Sequence, residues 1–328
     1  MANLCTKYMG LELKSPLIAG SSGLTNSVKS IVELEKCGIG AVVLKSLFEE
    51  QIRHEATSIV SHENVANQYP EAYDYIKNYT ENQSLDNYLN LIRDAKKAVS
   101  IPIIASINCV STHEWTGFAS KIEAAGADAL ELNIFILPSD PYRSSEENEK
   151  VYFDIITDVR KRIKIPLSVK ISYYFSSLAK TAVQLSWTGI NGLVMFNRFF
   201  SPDIDLDEME VTSSYVFSQP GELHMPLRWI AMLSDRVHCD LASSTGVENG
   251  DGALKMLLAG AKAVQITSAL YKYGASHVTL INQQIAQWMD DKGYATIDEV
   301  IGKMSIKNTD NPASYERVQF MKHFSGIE

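Results

Sequence analysis

Eight short apolar runs in this chain each end in groups that can do chemistry. The runs are Pro16–Ser21, Gly40–Lys45, Ile101–Asn108, Ala129–Asn133, Leu167–Ser172, Gly192–Asn197, Cys239–Ser243 and Ala263–Thr267. Their ends read Ala19-Gly20-Ser21, Lys45-Ser46, Asn108, Asn133, Lys170, Asn197-Arg198, Ser244-Thr245-Gly246 and Thr267-Ser268. Gathered at one mouth, these would be two lysines, three asparagines and two hydroxyl-bearing loops. A lysine closing one apolar run can snorkel to solvent from a rim. Two of them, with asparagines in corresponding places, point instead to a bound ligand, because lysine is rarely buried without a partner.

The last two loops suit an anion. Ser244, Thr245 and Gly246, with Thr267 and Ser268, offer hydroxyls and backbone N–H groups where barrel enzymes often hold phosphate. The amides of Asn108, Asn133 and Asn197 can match donor and acceptor edges of a planar heterocycle. Lys45 or Lys170 beside such a ring would stabilise negative charge on it. A flavin mononucleotide (FMN) meets all three requirements, and one phosphate site argues against FAD.

The elements that must position these groups alternate regularly. Most of the runs are nearly continuous in Val, Ile, Leu, Ala or Met, as in parallel strands covered on both sides. Helical spacing follows at Asn26–Lys36 (with Asn26 as cap), Ser84–Val99, Thr112–Ala125, Glu146–Ile163, Ser176–Ser186, Pro226–Ser234, Asp251–Ala259 and Ser276–Lys292. Strand–helix alternation repeated eight times predicts an α/β fold, a (β/α)8 TIM barrel, rather than an open doubly wound sheet. The echo of Ala125–Leu132 in Ala259–Ile266 marks two helices that stop at a glycine and turn into a strand. Long linkers at about 47–83, 134–145 and 199–225 all leave strand C-terminal ends, which predicts insertions covering a pocket. The whole chain, 1–328, reads as one domain, with the barrel at about 14–293 and a tail at 305–328.

Composition removes several alternatives. The chain has 328 residues, and 30 Lys+Arg against 39 Asp+Glu give a net charge of −9, which disfavours nucleic acid. The apolar runs are too short to span a bilayer, and the first residues lack a signal peptide's apolar core. A cytoplasmic protein with no membrane partner is expected. Cys5, Cys37, Cys109 and Cys239 are dispersed, which predicts neither disulfides, a metal site nor an iron–sulfur cluster.

Taken together, these motifs resemble the FMN-dependent dihydroorotate dehydrogenases over roughly residues 8–305. Ser15 through Gly23 resembles the opening N-P-x-x-x-A-S-G turn, and Val43-Leu44-Lys45-Ser46 the second-strand T-K-S/T. Asn64 through Tyr75 loosely resembles the N-S-M-G-L-P-N-x-G-x-D-Y lid. Ser168-Val169-Lys170-Ile171 is similar to V-K-L, and Gly192 through Asn197 to G-L-x-x-x-N. Gly260 through Ile266 and Asp291 through Ile297 resemble the family's ending. The resemblance implies flavin contacts from Ala19, Gly20, Ser21, Lys45, Ser46, Asn108, Asn133 and Lys170. It implies phosphate contacts from Ser244, Thr245, Gly246, Thr267 and Ser268. Asn64, Asn133 and Asn197 would meet a small substrate of the carboxylated pyrimidine kind, with oxidation of dihydroorotate or a related CH–CH substrate as in pyrimidine biosynthesis; Arg198, outside the family pattern, has a fork that suits the substrate's carboxylate. Lys45 and Lys170 would be the catalytic charges.

Three departures stand out. The family's N-x-S-C-P-N, whose Cys or Ser is the base, is here Asn133-Ile134-Phe135-Ile136-Leu137-Pro138-Ser139-Asp140. The base position falls on Ile136 counted from Asn133, or on Leu137 counted back from Pro138, and neither accepts a proton. Arg198 replaces a small Ser/Thr. The three-glycine phosphate turn keeps one glycine, so that Thr245 is strained if the turn needs φ > 0. Two other classes fit the same residues: a Schiff-base lyase or aldolase on Lys170 or Lys45, and a non-catalytic flavin-binding homologue. The long loops and tail leave room for a homodimer.

Overall fold

The apolar runs become strands because a parallel sheet covered on both faces needs apolar side chains in both directions. The computed structural model describes residues 2–48, 70–108, 112–198, 202–213 and 215–316. In chain order the strands are β1 (Thr6–Tyr8), β2 (Leu11–Leu13), β3 (Leu17–Ala19), β4 (Ala41–Val43), β5 (Leu47–Phe48), β6 (Ile103–Asn108), β7 (Ala129–Asn133) and β8 (Leu167–Ile171). They continue with β9 (Gly192–Met195), β10 (Pro202–Asp205), β11 (Glu210–Ser213), β12 (Asp240–Ser244) and β13 (Ala263–Ile266). The helices are α1 (Val28–Lys36), α2 (Pro70–Ala98), α3 (Thr112–Ala125), α4 (Ser145–Arg160), α5 (Leu178–Ser186), α6 (His224–Leu233), α7 (Gly250–Ala259), α8 (Ser268–Tyr273), α9 (His277–Lys292) and α10 (Ala313–Glu316).

The order β4-β3-β13-β12-β9-β8-β7-β6, closed by a β4–β6 pairing, is an eight-stranded parallel barrel. The eight expected runs supply its eight strands. β5 pairs beside β6 above the closure. The two echoed helix-to-strand turns have Gly126 at φ 94 and Gly260 at φ 122, a conformation open mainly to glycine. One expected cap moves: Ser27, rather than Asn26, caps α1 by accepting from the Ser30 N–H at 3.2 Å.

Strand alternation divides the core in two. One layer fills the space between strands and helices and includes Leu17, Ala19, Val42 and Leu132. The other fills the barrel interior with Ile18, Ala41, Val43, Ile104, Ala129, Val194, Ala242 and Ala263. The β1–β2 hairpin, which periodicity did not reveal, plugs the N-terminal end by adding Tyr8, Met9 and Leu13 to that interior. With one end plugged, side chains one layer higher face the opposite mouth. Among the described residues no helix is long and apolar enough to cross a membrane.

Candidate active site at the strand C-terminal ends

A cavity of about 400 Å³ opens at that mouth, a size ordinary for small-molecule sites. Its lining takes residues from seven of the eight expected strand ends: Ser21; Lys45 and Ser46; Asn133; Lys170; Asn197 and Arg198; Ser244, Thr245 and Gly246; Thr267 and Ser268. Ala19, Gly20 and Asn108 do not line it. The Ala19 side chain belongs to the outer core, since period-two alternation turns it away from the interior. Asn64 and Cys109 lie outside the described residues. A larger groove of about 920 Å³ runs along α9, but it touches no barrel strand.

The serines tie the strand ends together. The Ser46 N–H donates to Ser21 Oγ at 2.8 Å, the two hydroxyls lie 3.0 Å apart, and Ser46 Oγ lies 2.7 Å from Ser106 Oγ. Tyr88 on α2 donates to the Ser106 carbonyl at 3.0 Å and accepts its N–H at 2.8 Å. This fixes the ends of β4 and β6, which must carry Lys45 in register.

Lys170 stands on a buried polar chain that sequence reading passed over. Its Nζ donates to Gln265 Oε1 at 2.9 Å, and Gln265 Nε2 donates to Glu131 Oε2 at 2.6 Å. Glu131 and Gln265 are both buried. Each sits two residues before a recognised site residue, Asn133 or Thr267, so the period of two could have revealed them. Burial pushes the Glu131 carboxyl above its ordinary range and pulls the Lys170 ammonium below its own; the attraction between the two charges opposes both shifts.

The phosphate-type turn has the conformation that the missing glycines made an issue. Thr245 is at φ 80 and Gly246 at φ 78. A β-branched residue there is strained. Thr245 Oγ1 donates to the Phe196 carbonyl at 3.3 Å, one bond gained in that geometry. A Cβ on Gly246 would lie 2.4 Å from the Leu223 nitrogen, so this glycine is required for close approach as well. Ser218, from the loop after β11, donates through both N–H and hydroxyl to Ser268 Oγ at 3.0 Å. Phe217 stacks on Tyr271 with ring centroids 5.6 Å apart.

Arg198 clamps that same loop. Its Nε donates to Glu222 at 3.1 Å, and its two terminal nitrogens donate to the Val216 and Tyr215 carbonyls at 3.0 Å. A substrate carboxylate would have to compete with these three bonds. The Asn197 amide nitrogen donates to the Lys170 carbonyl at 3.2 Å and the Ile134 carbonyl at 3.4 Å, joining β8 to the loop after β7.

The segment that departs from the base motif turns aside. Ile136 lines a separate cavity of about 370 Å³ with Tyr152, Tyr173, Tyr174 and Phe175. Phe135 and Leu137 are exposed.

The chain matches the dihydroorotate dehydrogenase family over residues 3–289. It belongs to that family. The catalytic subunit of dihydroorotate dehydrogenase B (NAD(+)) from Thermoplasma volcanium is 25% identical over 316 residues, covering 92% of this chain and 98% of the relative. The subunit of the same name from Thermoplasma acidophilum is 26% identical over 315 residues, covering 92% and 99%. That from Methanocaldococcus jannaschii is 25% identical over 309 residues, covering 91% and 97%. The protein is thus a dihydroorotate dehydrogenase-like oxidoreductase acting on CH–CH groups. The family barrel is present, with the eight strands in the order read from the sequence.

Proposed function

We propose that the strand-end cavity holds FMN and that the substrate is a small carboxylated ring related to, but distinct from, dihydroorotate. The observation that carries the FMN reading is Asn133. Its Oδ1 is buried, without a hydrogen-bond partner, and belongs to the cavity lining. A buried acceptor left alone costs about 1–3 kcal/mol, and the N–H edge of a flavin ring is the kind of donor that would satisfy it. Lys45 and Lys170 bring positive charge to the same cavity, and the Ser244–Gly246 turn with Thr267 and Ser268 suits a phosphate. Family membership favours this reading over Schiff-base chemistry on the same lysines.

Bound FMN would supply hydride transfer. The chain's own contribution is positional and electrostatic. Lys170 and Lys45 stabilise negative charge, Asn133 and Asn197 orient the ring partners, and the Arg198-clamped loop holds Ser218 against Ser268 so that the phosphate end stays closed to water. Purified or reconstituted protein is expected to be yellow, with about one FMN per chain and no FAD. Heat release followed by chromatography checks this. Recovery of FAD, or no uptake on reconstitution, overturns the assignment.

The proposal includes a cytoplasmic homodimer. The β10–β11 register places Ile204 opposite Val211 on one face, and Asp203, Asp205 and Glu210 on the other. Leu206 and Met209 at the tip are each 86% exposed. Ile204 and Val211 are exposed too, so the hairpin carries four open apolar side chains. A two-stranded hairpin is marginal alone in water, so an apolar face this open calls for a covering surface. A second copy can bury it while the acids stay solvated. Sedimentation is expected to give a dimer that Ile204→Asp with Leu206→Asp converts to monomer. A monomeric wild type contradicts it.

A further inference from the structure

The chain Lys170–Gln265–Glu131 has a direction. An ionised carboxylate only accepts hydrogen bonds, so Glu131 obliges Gln265 to turn its NH2 toward it. The amide oxygen then faces Lys170, and it needs a donor there. An ammonium supplies one in any rotamer, whereas a neutral amine also offers a lone pair that the oxygen cannot use. The amide therefore transmits the sign of the carboxylate to the lysine.

We propose that Glu131 is a positioning residue that holds the Lys170 side chain in its charged form, acting through the oriented amide of Gln265. Three observations support it beyond the two short bonds. Glu131 is buried next to the apolar interior layer of Ile18, Val43, Ile104, Ala129 and Val194, where a carboxylate costs stability unless it is paired. Its second oxygen, Oε1, is buried with no partner, so the group is not simply a satisfied structural hydrogen-bonder. The titratable groups that face it are Lys170 from β8, Tyr8 from β1 and Tyr88 from α2. Burial pushes both phenols up, so both stay neutral near neutral pH and neither adds charge beside the carboxylate. Lys170 provides the balancing charge.

The proposal rests on the flavin reading for its purpose, since a charged Lys170 matters to a ring that gains negative charge. Its test does not require flavin. Competitive acetylation of the full-length chain across a pH series, read peptide by peptide by mass spectrometry, reports the titration midpoint of Lys170. In Glu131→Gln the amide of Gln265 is no longer locked, and the midpoint is expected to fall by about one to two pH units. Gln265→Met keeps the carboxylate but removes the relay, and it is expected to move the midpoint the same way by a smaller amount. A fall in folded variants supports the relay whether or not the protein takes up FMN. An unchanged midpoint in either folded variant overturns it, and a loss of melting temperature without a midpoint shift would assign Glu131 a packing role only.

Discussion

Replacing Lys170 with Ala is expected to lower stability by about 3 kcal/mol at neutral pH, because it strands a buried carboxylate. Glu131 is 2% exposed, and the lysine is the cation that draws its raised carboxyl back down. Without Lys170 the carboxyl rises further. The folded chain then keeps a proton that the unfolded chain releases, so stability falls as pH rises through the interval between the two values. The deficit relative to wild type should be smallest in acid, below the ordinary carboxylate range, and should widen as pH rises above that range. The cavity left by the shorter side chain contributes equally at every pH, so the slope isolates the charge. Urea melts across that range measure it, and a flat deficit would show that Glu131 does not depend on Lys170. In FMN-loaded protein the same substitution is expected to lower the flavin midpoint potential by about 30–60 mV, as loss of one stabilising charge near the ring implies. An unchanged potential would make Lys170 a rim lysine.

The barrel was legible because its strands are continuous apolar runs with helical stretches between them. β7 and α3 have the bounds read from sequence, Ala129–Asn133 and Thr112–Ala125, and Gly126 marks the stop between them. What escaped had physical reasons. β1 and β2 are three residues each, too short for periodicity to register, although they plug the barrel. β10 and β11 carry Asp203, Asp205 and Glu210 with no buried face, so the segment reads as a polar loop. Glu131 and Gln265 sat inside runs taken as apolar, and only the inward alternation of Glu131 with Asn133 distinguishes them. The site was legible at the strand ends, where polar residues interrupt apolar runs. It was illegible where function depends on what a side chain already holds. Nothing in the residue type of Arg198 shows that its fork clamps Tyr215, Val216 and Glu222.

The loop after β7 carries the sharpest functional consequence. Proton removal by a positioned side chain typically contributes ~10²–10⁴-fold, and we propose that the base position of the family motif is taken here by Ile136 or Leu137. Ile136 is directed into the aromatic side cavity, and Leu137 is 53% exposed. Among the described residues the strand-end cavity has no thiol or carboxylate, and its serines lie after β3, β4, β11 and β13 or at the end of β12, none on the loop after β7. Dihydroorotate should therefore be a poor reductant here, and Ile136→Cys alone should not restore it, because the new thiol would enter the wrong cavity. The direct measurement is anaerobic mixing of dihydroorotate with FMN-loaded wild-type protein in a stopped-flow spectrophotometer. The expected result is retained FMN whose absorption bleaches at least on the order of 100-fold more slowly than in a relative bearing a Cys or Ser base. Rapid, stoichiometric bleaching would contradict it and would mean that another group in this chain serves as the base.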